Sequence, residues 1–122
     1  MTVRDATPDD HDAIMGILDA AMLDTDPEAV RTSIESGNVL VAVADDRVLG
    51  ALVLEGERIE AVAVRRNRRG QGLGSALVTA AFDRRDRLVA ECDERVRPFY
   101  ESLGFAVEPV PGASGRLRGV RE

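Results

Sequence analysis

The 122-residue sequence has no lysine and no tryptophan, and all 16 of its basic residues are arginines. The absence of lysine excludes Schiff-base chemistry and the lysine-bearing Walker A phosphate loop. One cysteine, Cys92, excludes an internal disulfide and a cysteine metal cluster, and no metal is expected. The longest apolar run, Val39–Ala44, falls far short of the roughly 20 residues that cross a membrane. Met1–Asp5 leads into acids rather than an apolar stretch, so no signal peptide and a cytoplasmic protein are expected. One tyrosine, three phenylalanines and a net charge of −6 disfavour nucleic acid as a partner, which calls for cations and stacking platforms.

What remains is enough for one domain. Hydrophobic residues make up 44% of the chain, sufficient for a single core over residues 1–122. No repeat or low-complexity segment interrupts it. Val3–Ala6 reads as a short strand. Thr7-Pro8-Asp9-Asp10 is a helix start, with Thr7 as cap and Pro8 at the first helical position. Ile14, Ile17, Leu18, Ala21 and Met22 follow at helical spacing. Asp26-Pro27-Glu28 repeats the start signal for a second helix, which Gly37 closes.

The period then changes. Val39–Ala44, Val48–Leu54 and Ile59–Val64 are apolar runs joined by Asp45-Asp46 and Gly56-Glu57, the chemistry of hairpins, so an antiparallel meander is expected. Their apolar residues fall on both faces, which implies helices on both sides of the sheet. Leu73, Leu77, Val78, Ala81 and Phe82 give a third helix. Leu88–Ala90 is a strand, Pro98–Leu103 a short helix, and Phe105–Val110 a further strand. The Pro111–Gly115 stretch leads to a last strand around Leu117. The expected class is α+β, with helices on a mixed sheet of six to seven strands.

One segment carries strong chemistry. Arg65, Arg66, Arg68 and Arg69 stand within five residues, followed by Gly70, Gly72 and Gly74 at the start of a helix. The glycines let the backbone approach a ligand closely, and the helix end offers unpaired N–H groups and partial positive charge. This combination suits an anion, above all a phosphate ester. A dinucleotide fingerprint would need glycine where Ser75 stands.

The segment Arg69-Gly70-Gln71-Gly72-Leu73-Gly74 resembles the pyrophosphate-binding signature of the GNAT superfamily of N-acetyltransferases. The likeness extends back through Ala61–Val64 and forward through Ser75-Ala76-Leu77. A second block, Pro98–Phe105, is similar to the family's late F-Y-E-x-x-G-F segment. The order and separation of the two blocks match the family over nearly the whole chain. The resemblance implies a three-layer fold and acetyl-CoA as co-substrate, with direct attack by a primary amine on the thioester. It implies that the main chain of Val62, Ala63 and Val64 holds the pantetheine arm and acetyl carbonyl. Arg69, Gly70, Gln71, Gly72, Leu73, Gly74 and Ser75 would hold the pyrophosphate, and Tyr100 would protonate the departing thiolate. A homodimer is in keeping with the family. Asp93 and Val96 depart from the family's frequent Asn and Ala, and an Asp cannot donate the amide hydrogen bond of an Asn. Pro98 is expected to shorten the last helix to under two turns.

Other residues compete for roles. Glu60 alternates onto the strand face of Val62 and Val64, where a carboxylate would accept a proton or attract a cationic amine. Glu55, Glu57 and Asp24 are rivals that the sequence does not separate. His11 is expected in solvent, and Cys92 and Phe99 in the core. A non-catalytic acyl-CoA-binding module of the same fold is the alternative function. The acid-rich, lysine-free composition fits either a halophile or a GC-biased genome.

Overall fold

The computed structural model describes residues 1–112 and 114–122. Residue 113, within the Pro111–Gly115 connection, lies outside the described residues. Strand β1 (Thr2–Asp5) leads through a 3-10 turn (Pro8–Asp10) into α1 (His11–Ala20). Helix α2 (Pro27–Glu35) precedes the meander β2 (Val39–Ala44), β3 (Arg47–Glu55) and β4 (Arg58–Val64). Then come α3 (Leu73–Arg84), β5 (Leu88–Cys92), α4 (Arg97–Ser102), β6 (Ala106–Pro109) and β7 (Leu117–Arg121). The seven strands form one sheet in the order β1-β2-β3-β4-β5-β7-β6. Every neighbouring pair is antiparallel except β4–β5, whose connection contains α3.

Local chemistry explains the joints. Asp45 and Asp46 both adopt positive φ, 54° and 62°, as a two-residue turn of the hairpin type requires. Asp26 caps α2 by accepting from the Glu28 amide at 3.1 Å, with Pro27 at the first helical position. The turn before α1 is built around Asp10. Its carboxylate accepts from the Thr7 amide at 2.8 Å, from the Thr7 hydroxyl at 3.2 Å and from Arg4 Nη1 at 2.7 Å.

Helices cover both faces, as the apolar pattern of the strands implies. Ile14, Ile17 and Leu18 of α1, with Val30 and Ile34 of α2, pack on Val39, Val41, Ala51, Val53, Ala61 and Ala63. On the opposite face Leu73, Leu77, Val78 and Ala81 of α3 meet Leu40, Leu52, Leu54, Leu88 and Ala90. Gly50 permits that close approach: a Cβ there would lie 3.1 Å from the Ala63 carbonyl oxygen and 3.2 Å from Leu77 Cδ1. His11 corrects its expected place in solvent. It is buried between the first two helices, with Nε2 2.9 Å from the Pro27 carbonyl oxygen. An acidic local sequence did not disclose a neighbour 16 residues away.

The hydrogen bonds from Arg4, foremost, hold the Asp10 carboxyl below its ordinary value of 3.8. A depressed folded-state value stabilises the fold above the unfolded-state value and ceases to do so as pH falls through the folded one. Because the Arg4 side chain is 42% exposed, solvent screens the ion pair and discounts its contribution, to which the Thr7 hydrogen bonds add. Asp10→Ala should therefore cost about 1–2 kcal/mol at neutral pH. In urea titrations the gap between variant and wild type should close below about pH 4.

Candidate functional site

The site begins with a defect in the sheet. Strands β4 and β5 share only two register positions, Arg58 with Val89 and Ile59 with Ala90. Beyond them β4 stays with β3 as far as Val64, while β5 stays with β7 as far as Cys92, so the two strands part. The outer edge of β4 from Glu60 to Val64 has no strand partner among the described residues. Its free backbone donors and acceptors line a cleft of about 410 Å³.

A bulge sits at the point of parting. The β3–β4 register steps from Val53 opposite Ala61 to Leu54 opposite Ile59, leaving Glu60 without a counterpart. Simple alternation therefore fails here: Ile59 joins the core beneath α3, whereas Ala61 joins the core beneath α1. The expected alternation from Glu60 to Val62 and Val64 is interrupted by this extra residue. Glu60 still borders the cleft, together with Val62, Ala63 and Val64. Its carboxylate is paired with Arg58, whose guanidinium also reaches Glu55 at 3.5 Å and, across the strands, Glu91 at 3.9 Å.

The arginine and glycine loop closes the other end. Arg65 is tied down, its amide donating to Leu49 O and its Nε to Val48 O, both at 2.8 Å. It anchors the loop to β3. Arg66, Arg68 and Arg69 form no ion pair among the described residues, although six other arginines do. Gly70 and Gly72 take φ of 78° and 81°, a left-handed geometry that favours glycine. From Gly72 the chain enters α3, and the first amide of this turn to find a helical partner is Ala76, which donates to Gly72 O at 3.0 Å. The preceding amides are left to point outward. Arg68, Arg69, Gly70, Gly72, Leu73, Gly74 and Ser75 border a hollow of about 260 Å³ that shares Val64, Arg69, Gly74 and Phe99 with the cleft. Gln71 is exposed and borders neither, and Leu73 anchors the helix in the core.

The far wall comes from β5 and α4. Pro98 stands in the first turn of α4, which has six residues, under two turns as the sequence implied. Tyr100 is 6% exposed and meets Phe99 and Phe105 edge-on, with ring centroids 5.0 and 5.2 Å away. Burial, foremost, pushes the phenol pKa up to about 12, so Tyr100 carries its proton at neutral pH. Phe99 is half-buried and borders the cleft, packing beside Gly74 as well as against the core. Cys92 is buried, and burial raises its thiol pKa, which suits packing rather than nucleophilic attack.

Asp93 borders the cleft with its carboxylate engaged by Arg95, accepting from the backbone amide at 2.9 Å and from Nη2 at 3.1 Å. The Arg95 hydrogen bond holds it below the usual carboxylate range. Leu23, Glu91, Val96 and Arg116 also reach this cleft, brought from four separate segments. Of these, only Val96 was marked by the sequence, as a departure from the family pattern.

The structure thus joins an apolar cleft with a free strand edge to a hollow of unpaired amides and arginines. The same architecture occurs in an acetyltransferase of the GNAT family from Bacillus cereus, with a TM-score of 0.82 and 19% identity over 98% of this chain and 93% of that one. A Mycobacterium tuberculosis protein solved in complex with CoA has a TM-score of 0.82 and 19% identity over 98% of both chains. A putative acetyltransferase from Salmonella typhimurium, solved with acetyl-CoA, gives 0.77 and 22% over 98% and 91%. Among curated proteins no match was found. The model of the acetyltransferase (GNAT) domain matches residues 35–107, well over half of the chain and spanning both the glycine loop and Tyr100. The chain belongs to the GNAT family of acetyltransferases.

Proposed function

We propose that this protein transfers an acetyl group from acetyl-CoA to a primary amine. The observation that carries the reading is the continuity of the apolar cleft with the amide-lined hollow. One suits a pantetheine arm and the other a pyrophosphate. The complexes of two similar structures with CoA or acetyl-CoA support the same ligand here.

Arg66, Arg68, Arg69 and the amides from Gly70 to Ser75 would hold the phosphates, and the free edge at Val62, Ala63 and Val64 would hold the arm and the acetyl carbonyl. A backbone N–H on that edge stabilises the oxyanion as the amine nitrogen attacks the carbonyl carbon. The carbon–sulfur bond then breaks, and the Tyr100 phenol donates its proton to the departing thiolate. Glu60, at the bulge, takes up the proton released by the amine, directly or through water. Its carboxylate is paired with the Arg58 guanidinium, which holds it at the edge of the cleft. A carboxylate there also attracts a cationic acceptor.

Calorimetry should find acetyl-CoA bound with a Kd below about 1 mM. Gly72→Glu should weaken this by at least about tenfold, by setting a negative side chain where phosphate belongs. A Cβ at Gly72 meets no atom within 4 Å, so the fold tolerates the space it needs apart from the strain of φ 81°. Tyr100→Phe should lower kcat about 100-fold while leaving the acetyl-CoA Kd within about twofold. Unchanged turnover would remove the acid role. Release of CoA thiol across a panel of amines distinguishes a transferase from a binding module, which would bind acetyl-CoA without amine-dependent release.

A further inference from the structure

Three helices of this protein end in the same way. After α2, Gly37 donates to Ile34 O at 3.1 Å and Asn38 to Ser33 O at 2.9 Å, with Gly37 at φ 76°. After α4, Gly104 donates to Glu101 O and Phe105 to Tyr100 O, both at 3.1 Å, with Gly104 at φ 89°. After α1, Met22 donates to Asp19 O and Leu23 to Leu18 O, both at 3.0 Å. This is the Schellman closure, whose left-handed residue is usually glycine. After α1 that residue is Met22, at φ 60°.

Met22 gains nothing in the free protein for standing there. Its side chain is 92% exposed, so it buries no core surface. The two other non-glycine residues with positive φ, Asp45 and Asp46, belong to a hairpin turn and are of a type that tolerates it. Met22 does neither. Its two chain neighbours, Ala21 and Leu23, both border the cleft. Val96, 42% exposed, borders the same cleft from the turn between β5 and α4. Apart from the N-terminal Met1, these two are the large apolar side chains left exposed among the described residues.

Resting on the acetyl-CoA reading of the cleft, we propose that Met22 and Val96 are apolar lips that close over the bound pantetheine arm. The arm carries a gem-dimethyl group and two ethylene units between its amides, and it bears no charge, unlike the phosphates to which it is joined. An unbranched thioether side chain adapts to such a surface better than a branched one. The left-handed backbone leaves that side chain in solvent between two residues that border the cleft, where glycine would give a more stable helix end and no lip. Met22 is thus a positioning residue for the arm, held at some loss of stability.

The test uses wild type, Met22→Gly, Met22→Leu and Val96→Ser, with acetyl-CoA and with adenosine 3′,5′-bisphosphate, the fragment that lacks the arm. Met22→Gly should melt at or above the wild-type temperature and bind acetyl-CoA about fivefold to tenfold more weakly, the equivalent of uncovering half a methionine side chain. Val96→Ser should weaken acetyl-CoA in the same direction, and Met22→Leu should restore most of the affinity. The bisphosphate should bind all four within about twofold, since it presents no apolar arm. Equal acetyl-CoA affinity for wild type and Met22→Gly overturns the proposal, as does an equal loss for both ligands or a lowered melting temperature. Failure of wild type to bind acetyl-CoA at all would instead bring down the reading of the cleft, and the lips with it.

Discussion

Two positions of parallel pairing, Arg58 with Val89 and Ile59 with Ala90, are all that join the halves of the sheet. On one side β1 to β4 form an antiparallel block, and on the other β5, β7 and β6 form a second. Each block is paired within itself, so the β4 edge beyond the first positions is left free. The bulge at Glu60 breaks the regular course of β4 where the two part. The free edge, the cleft and the placement of Tyr100 opposite that edge all follow from this short contact. The site is therefore an interruption of the sheet, and the cores on either side keep it open.

Charge reinforces the same layout. Six arginines are spent on ion pairs at the surface, mostly exposed and individually of small worth. Arg66, Arg68 and Arg69 have no such partner among the described residues, despite an excess of acids in the chain. Of these, Arg68 and Arg69 border the hollow of open helix amides and make one end of the cleft strongly receptive to anions. At the other end Arg58 faces three carboxylates, Glu55, Glu60 and Glu91, leaving that end negative. The cleft thus runs from a basic mouth to an acidic apex, an arrangement suited to an anionic donor and a cationic acceptor.

Much of the fold was legible before any coordinates. The caps at Thr7 and Asp26, the two hairpins and the two-faced apolar strands act over a few residues, and their periods survive in the sequence. The glycine loop was legible because backbone conformation dictates its residues. Other features were not. His11 looked solvated among acids, yet it is buried because α2 folds back over it. Arg65 looked like one of four clustered charges at the anion-receptive loop, yet its Nε is committed to a carbonyl 17 residues away. Glu60 looked like a regular strand residue, and the folded sheet leaves it without a counterpart on β3.

By itself the sequence determined the elements, the anion-receptive loop and the family likeness. It could do so because propensity, capping and positive-φ glycine are local constraints, each written within a turn or a hairpin. Tertiary structure alone decided how far β4 and β5 run together and which arginines remain unpaired. It also decided which side chains from distant segments share one cleft. These depend on register and packing between residues far apart in the chain, where no local period records the outcome. Met22 shows the division: helical spacing placed it in a helix face, and only the folded chain reveals it as an exposed left-handed residue just past the end of α1.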